Sequence, residues 1–275
     1  MSGRLDRLFI LCLLGAILFG VGFPLFWMIS CSLRPFAEIY ASPPILLPRN
    51  ITFVNYAELF RLTSFLVYFK NSLIIALGTT ALTMVLSTLG AFSLARFNYR
   101  GKEVISFLVL FTYVVPAILL LIPIFLLLAK VGLVNTYTGM IIANTTFCLP
   151  FGLWLMRGFF QGIPKELEES GMIDGASRFK IFLDILLPMA IPGIIAVSIF
   201  TFILAWNEYL FALVILTKES MKTLPVGIAQ FADATSVEWG LIMAASVMAT
   251  LPILLLFAFP QRFLIQGIGS GGLKG

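Results

Sequence analysis

Histidine is absent from the 275 residues, so imidazole can serve neither as a general base nor as a metal ligand. The three cysteines, Cys12, Cys31 and Cys148, lie in or beside apolar runs without paired or ligand-like spacing, which excludes a disulfide framework and a zinc site. Charge is scarce at 11% of residues, and the excess of +5 is spread over several segments with no basic run of the kind that binds nucleic acid. The only Gly-Lys pair, Gly101-Lys102, is followed by Glu103 and lacks the upstream glycine spacing, so no phosphate-binding P-loop is encoded. No catalytic constellation and no metal cluster can be assembled from what remains.

What is present is apolar. With 60% hydrophobic residues and a mean hydropathy of +1.05, the chain belongs in a bilayer. The expected fold is all-α and polytopic, with six transmembrane helices at about 9–31, 73–95, 104–129, 138–158, 189–216 and 240–259, making one domain of residues 1–275. The first run is longer than a signal-peptide core and no A-x-A-like site follows it, so it reads as an uncleaved span. Residues 32–70 are mixed: Pro43-Pro44 and Pro48 suggest an irregular surface loop, the part from Tyr56 to Phe69 an interfacial helix, and Asn71-Ser72 can cap the second span. Pro116, Pro123, Pro150 and the Pro192-Gly193 pair should kink the spans that hold them. Of the 18 Lys and Arg, seven (Arg34, Arg49, Arg61, Lys70, Lys130, Lys218, Lys222) fall on one side and the other eleven on the side of the termini. That excess places both termini in the cytoplasm.

One polar island interrupts the apolar runs. Residues 164–188 hold five of the 13 carboxylates, with Leu167, Met172, Ile173, Phe179, Ile181, Phe182 and Leu183 interleaved at spacings of three and four. The pattern predicts two short amphipathic helices: Pro164 opens the first, Asp174-Gly175 breaks it, Ser177 or Asp174 caps the second, and Pro188 stops it. Glu208 stands out differently. It lies in an apolar run beside Trp206, Asn207 and Tyr209, and reads as lining for a hydroxylated solute's path, as interhelical glue, or as a residue near the outer interface.

Glu169-Ser170-Gly171, Gly175, and Ile185, Leu187 and Pro188 stand at the places of the Glu-Ala-Ala, Gly and Ile-x-Leu-Pro of the EAA loop in membrane subunits of ATP-binding-cassette importers. The chain thus resembles that family. Ser170-Gly171 in place of Ala-Ala is a departure, and Gly171 should weaken the helix by about 1 kcal/mol relative to Ala. Phe159-Phe160 before the island, Trp206-Asn207-Glu208 after it, and the ending Gly-Ser-Gly-Gly-Leu-Lys-Gly extend the likeness to the smaller (MalG-like) permease of maltose-type carbohydrate importers.

The resemblance implies a permease in a bacterial or archaeal cytoplasmic membrane, and not an enzyme. It pairs with a second, MalF-like permease subunit and sits among membrane lipid on two ATPase subunits. Those subunits hold ATP and Mg, and this chain binds no cofactor. An extracytoplasmic sugar-binding protein delivers the solute, and nucleic acid has no part. ATPase coupling would fall to Glu169, Ser170, Gly171, Met172, Ile173, Asp174, Gly175 and Phe179, with Glu169 pairing an arginine of the ATPase. Gly271, Gly272, Leu273, Lys274 and Gly275 would reach between the ATPases, and Trp206, Asn207, Glu208 and Tyr209 would line the path. Gln230, Phe231 and Asp233, in a loop running from Thr217 to Trp239, would meet the binding protein. Two other classes differ in what they need. A secondary carrier requires coupling-ion sites and leaves the island unexplained, and a membrane enzyme requires a catalytic constellation.

Overall fold

The computed structural model describes residues 2–232 and 237–258, and these are helical with no strand among them. In chain order the helices are α1 (Ser2–Ser32), α2 (Phe36–Ile39), α3 (Val54–Leu62), α4 (Phe65–Arg96), α5 (Lys102–Thr112), α6 (Ala117–Lys130) and α7 (Tyr137–Gly162). They continue as α8 (Glu166–Ile173), α9 (Arg178–Ile181), a π turn (Phe182–Leu186), α10 (Leu187–Met189), α11 (Ile191–Trp206) and α12 (Leu210–Ile215). A 3-10 turn at Glu219–Met221, α13 (Leu224–Ala232) and α14 (Trp239–Ala258) complete the described chain. Among the described residues four helices are long and apolar enough to cross a membrane, or up to six when each of two bent pairs is taken as one span.

Both bends have a backbone cause. The α5–α6 pair turns by 100° where Pro116 enters at the start of α6, and the segment leading into α11 turns by 70° at Ala190, next to Pro192. Pro123 and Pro150, by contrast, lie inside α6 and α7 without breaking them.

The chain forms two compact units. One holds α1 to α3 and most of α14, and the other holds the elements from α4 to α12. In the first, buried Arg34 donates to Leu46 O (2.6 Å), Ser30 Oγ (2.6 Å) and Ile45 O, and its guanidinium lies 4.9 Å from the Trp27 ring centroid. Asn55 Nδ2 donates to Ser32 O (2.9 Å) and Arg34 O (2.8 Å), carbonyls left open where α1 ends. Buried Glu38 accepts from the backbone N–H of Arg49 (2.9 Å) and from Asn50 N (3.0 Å) and Nδ2 (2.9 Å). The 32–53 stretch is therefore a pinned loop with one helical turn rather than an irregular one. Every charge it buries is answered by backbone.

Among its described residues the second unit shows two apolar centres. Ile75, Leu128, Met140, Phe211, Ala212 and Ile215 join α4, α6, α7 and α12. Ala91, Met156, Phe160, Ile181, Phe182, Leu186 and Val197 join α4, α7, α11 and the polar island. Arg157 of α7 forks onto both Glu103 oxygens at 2.8 Å and donates to Ser106 Oγ at 2.5 Å, fastening α5.

The boundaries of α3 and α4 also differ from the expected ones. Asn71 and Ser72 do not cap a span, because α4 already starts at Phe65. They sit inside it and hold the segment before α13: Asn71 Nδ2 donates to Ser220 O (3.0 Å) and Lys222 O (2.9 Å), and Ser72 Oγ accepts from Leu224 N (2.7 Å). The chain from Tyr56 to Phe69 is two helices, α3 and the start of α4, separated at Thr63. Thr63 Oγ1 accepts from Phe65 N there, which starts the new helix.

The Arg49 amide holds the Glu38 carboxyl below its usual range, burial opposes it, and Asn50 adds to the lowering. A lowered carboxylate contributes stability that is present above the unfolded value and lost as pH falls through the folded one. Hydrogen exchange of the Arg49 and Asn50 amides should therefore stay slow at neutral pH and quicken only below the ordinary carboxylate range. Glu38→Gln should quicken it at neutral pH, and unchanged exchange in that variant would contradict the assignment.

Candidate functional site

The island folds as a helix, a glycine turn and a second helix. Glu166, Glu168 and Glu169 occupy the first turn of α8, where the helix dipole favours anions. At the other end Gly175 has φ +78°, its N–H bonds Met172 O (3.1 Å), and Ala176 N bonds Gly171 O (2.9 Å). This paired closure is a Schellman motif, and it depends on the left-handed residue. Ser177 then caps α9 by accepting from Lys180 N at 3.3 Å. Pro188 does not stop this helix. The path runs on through the π turn, and the proline falls at the start of α10, where a missing N–H costs little.

The two faces of this element differ. Inward, Ile181, Phe182 and Leu186 are buried in the second apolar centre, and Phe160 and Phe92 lie beside Phe182. Gly171 is buried against them: a Cβ there would stand 3.1 Å from Ile185 Cδ1 and 3.2 Å from Ile181 Cγ1. The departure from Ala thus trades helix propensity for closer packing. Phe159 lies against Gly193, where a Cβ would come within 2.5 Å of the ring. Outward, Ile173 is 86% exposed and Phe179 70%, with Met172, Glu169 and Asp174 also exposed.

Adjacent carboxylates take opposite roles. Glu168 pairs with Arg96 Nε at 2.5 Å, whereas Glu169 makes no ion pair among the described residues. Sequence reasoning missed Arg96 and Glu168. Their signal was available as a lone arginine at the end of a long span and a second glutamate in the island.

The Glu208 region is a helix break. α11 ends at Trp206, Asn207 Nδ2 turns back to Ile203 O (2.9 Å), and the Glu208 oxygens accept from Phe211 N (2.7 Å) and Ala212 N (2.9 Å), capping α12. Glu208 also lines a cavity of about 170 Å³ with Asn144, Phe147, Cys148, Leu204 and Ala205. Asn144 is buried there with no hydrogen-bond partner for its Nδ2. It is a polar group in an apolar run that the sequence reading passed over. Trp206 is buried instead, stacked on Phe202 at 5.6 Å and edge-on to Phe69 at 5.4 Å, while Tyr209 is 36% exposed.

Gln230 and Phe231 lie on α13, so the stretch from Thr217 to Trp239 is not a plain loop. Asp233 and Gly271 to Gly275 lie outside the described residues. Among the described residues no group of His, Cys, Asp and Glu could hold a metal ion.

Residues 87–270 match the family described as "Binding-protein-dependent transport system inner membrane component". The inner membrane ABC transporter permease protein YcjP of Escherichia coli (strain K12) is 34% identical, with 98% of each chain covered. The trehalose/maltose transport system permease protein MalG of Thermococcus litoralis is 36% identical over 97% of each. Among solved structures, a bacterial ABC transporter involved in the import of the acidic polysaccharide alginate aligns with a TM-score of 0.83 at 23% identity, covering 96% of this chain and 98% of that one.

Alanine at the two island glycines should have unequal effects. Gly175→Ala forces a methyl into left-handed backbone and should cost about 1–2 kcal/mol of local stability, seen as faster proteolysis at residues 174–178. Gly171→Ala gains about 1 kcal/mol of helix propensity against a contact that flexible side-chain ends can relieve, so its cleavage should stay near the parent rate. Equal effects would contradict this division.

Proposed function

The chain belongs to the family of binding-protein-dependent transport system inner membrane components, and on that premise we propose that it forms half of the translocation path of an ATP-driven carbohydrate importer. It is a transport subunit of an ABC system and not an enzyme; ATP is used by a partner ATPase in these systems. Family membership also sets aside the secondary-carrier and membrane-enzyme classes.

The observation that carries the coupling role is the outer face of the helix–turn–helix. Two large apolar side chains, Ile173 and Phe179, stand out at 86% and 70% exposure from a charged surface, beside an ion-pair-free Glu169. A rigid element that presents apolar bulk beside carboxylates without ion pairs, Glu169 among them, is built to enter a cleft on another protein. The apolar side chains supply most of the docking energy, and the carboxylate fixes the register.

In this reading the helix–turn–helix docks into one of two ATPase subunits, which bind ATP and Mg. A second, MalF-like permease completes the path, and an extracytoplasmic sugar-binding protein delivers the solute from the side opposite the termini. Six spans cross the membrane, each bent pair counting once, with both termini in the cytoplasm. Closure of the ATPases on ATP draws the docked elements together and switches the cavity between its two openings. The carbohydrate assignment rests on the trehalose/maltose relative. Asn144 and Glu208 place two polar side chains in the wall of an otherwise apolar cavity, which would give a hydroxylated solute hydrogen-bonding points there, and Trp206, Asn207 and Tyr209 stay proposed for the path. Gln230, Phe231 and Asp233 remain the proposed contact with the binding protein, and the Gly271 to Gly275 tail the proposed contact with the ATPases.

Copurification with the coexpressed partner subunits tests this directly. Ile173→Asp and Phe179→Asp should each lower the ATPase recovered by about tenfold or more, and Glu169→Ala by a smaller factor. Asn144→Leu should leave recovery intact and lower solute import. Full recovery in both Asp variants would contradict the docking face, and undiminished import in Asn144→Leu would remove that cavity from the path.

A further inference from the structure

Arg96 closes α4, and its side chain, 5% exposed, reaches two other elements at once. Nη2 donates to Ile163 O at 2.7 Å, the carbonyl at the end of α7, and Nε meets Glu168 Oε1 of α8 at 2.5 Å. The next residue receives a second tie from the far side of the glycine turn: the Arg178 guanidinium of α9 lies 5.6 Å from the Phe97 ring centroid. Both arms of the helix–turn–helix are therefore fastened to adjacent residues at one helix end. The space between Phe92, Arg96, Glu168, Met172 and Ile181 is about 20 Å³, room for a single water.

α4 is suited to carry what is applied there. Among the described helices long enough to span a membrane, α1, α7 and α14 each contain a proline and α4 contains none. It runs unbroken through 32 residues. At its other end Asn71 holds Ser220 O and Lys222 O, Tyr68 donates to Glu219, and Ser72 holds Leu224 N. Asn71 and Arg96 are about 37 Å apart along the axis at 1.5 Å per residue.

We infer that Arg96 is a positioning residue that locks the docking element to α4, so that α4 moves with it as a straight rod and carries ATPase closure to the Glu219–Leu224 segment. A largely buried guanidinium suits this role because one nitrogen donates to the Ile163 carbonyl while another stays in ion-pair contact with Glu168, so two elements are held by one rigid planar group. Glu168 thereby serves the permease itself, and Glu169 is left for the ATPase. The inference rests on the coupling role proposed above.

The test uses the assembled transporter in proteoliposomes, comparing wild type with Arg96→Lys, Arg96→Gln and Glu168→Gln. Three quantities are read: ATPase recovered, solute imported per ATP hydrolysed, and the change in hydrogen exchange at residues 218–224 on adding a non-hydrolysable ATP analogue. In Arg96→Gln the ATPase should still copurify, while import per ATP falls by about tenfold and the exchange response at 218–224 disappears. Arg96→Lys should fall between, since an ammonium keeps the charge but cannot span both acceptors. Glu168→Gln, the mildest change, should lower import per ATP in the same direction even where Arg96→Gln fails to assemble. A wild-type exchange response and import ratio in assembled Arg96→Gln would overturn the inference. Loss of the ATPase in Glu168→Gln would also overturn it, because Glu168 would then belong to the docking face. Absence of any ATPase from the wild-type preparation would contradict the coupling role itself.

Discussion

The second unit is organised by the burial of Ile181, Phe182 and Leu186 beneath the polar island, against Ala91, Phe160 and Val197. An amphipathic element with this composition could lie loosely on a membrane surface. These three side chains instead draw it into the protein, where close packing leaves one arrangement. Once they are seated, the outward residues have no freedom to turn in. Ile173 and Phe179 are exposed because the inner face is already filled.

That constraint explains the glycines and the charges around it. Gly171 brings α8 close enough to pack on Ile181 and Ile185, and Gly175 closes α8 so that α9 can return along it. Glu168 faces inward to a guanidinium that is itself held by a carbonyl, so neither charge is stranded. Glu169, one residue on, points elsewhere because successive helical positions do not share a face.

Much of this was legible in the sequence. Carboxylates after Pro164, the Asp174-Gly175 break and the 3/4 spacing of apolar residues located both helices of the island, because local propensity and capping decide those features. The all-α fold followed from apolar runs long enough to span a bilayer as helices. Three things did not follow, and each depends on partners distant in sequence. Asn71 and Ser72 look like caps until the segment near residue 222 is brought to them. The Arg96 pairing joins residues far apart in the chain. Trp206, placed with Asn207 and Glu208 as lining, is buried between Phe69 and Phe202, which sequence spacing cannot reveal. The π turn that carries the chain past Pro188 likewise overrides a sound local stop signal.

The most direct test of the central claim is photocrosslinking from positions 173 and 179, with a photoreactive amino acid placed singly at each in the assembled transporter within native membranes. The account predicts crosslinks to the ATPase subunit from both positions, lost when the ATPase is omitted from expression. Crosslinks to lipid or to the permease alone, unchanged by the presence of the ATPase, would contradict it.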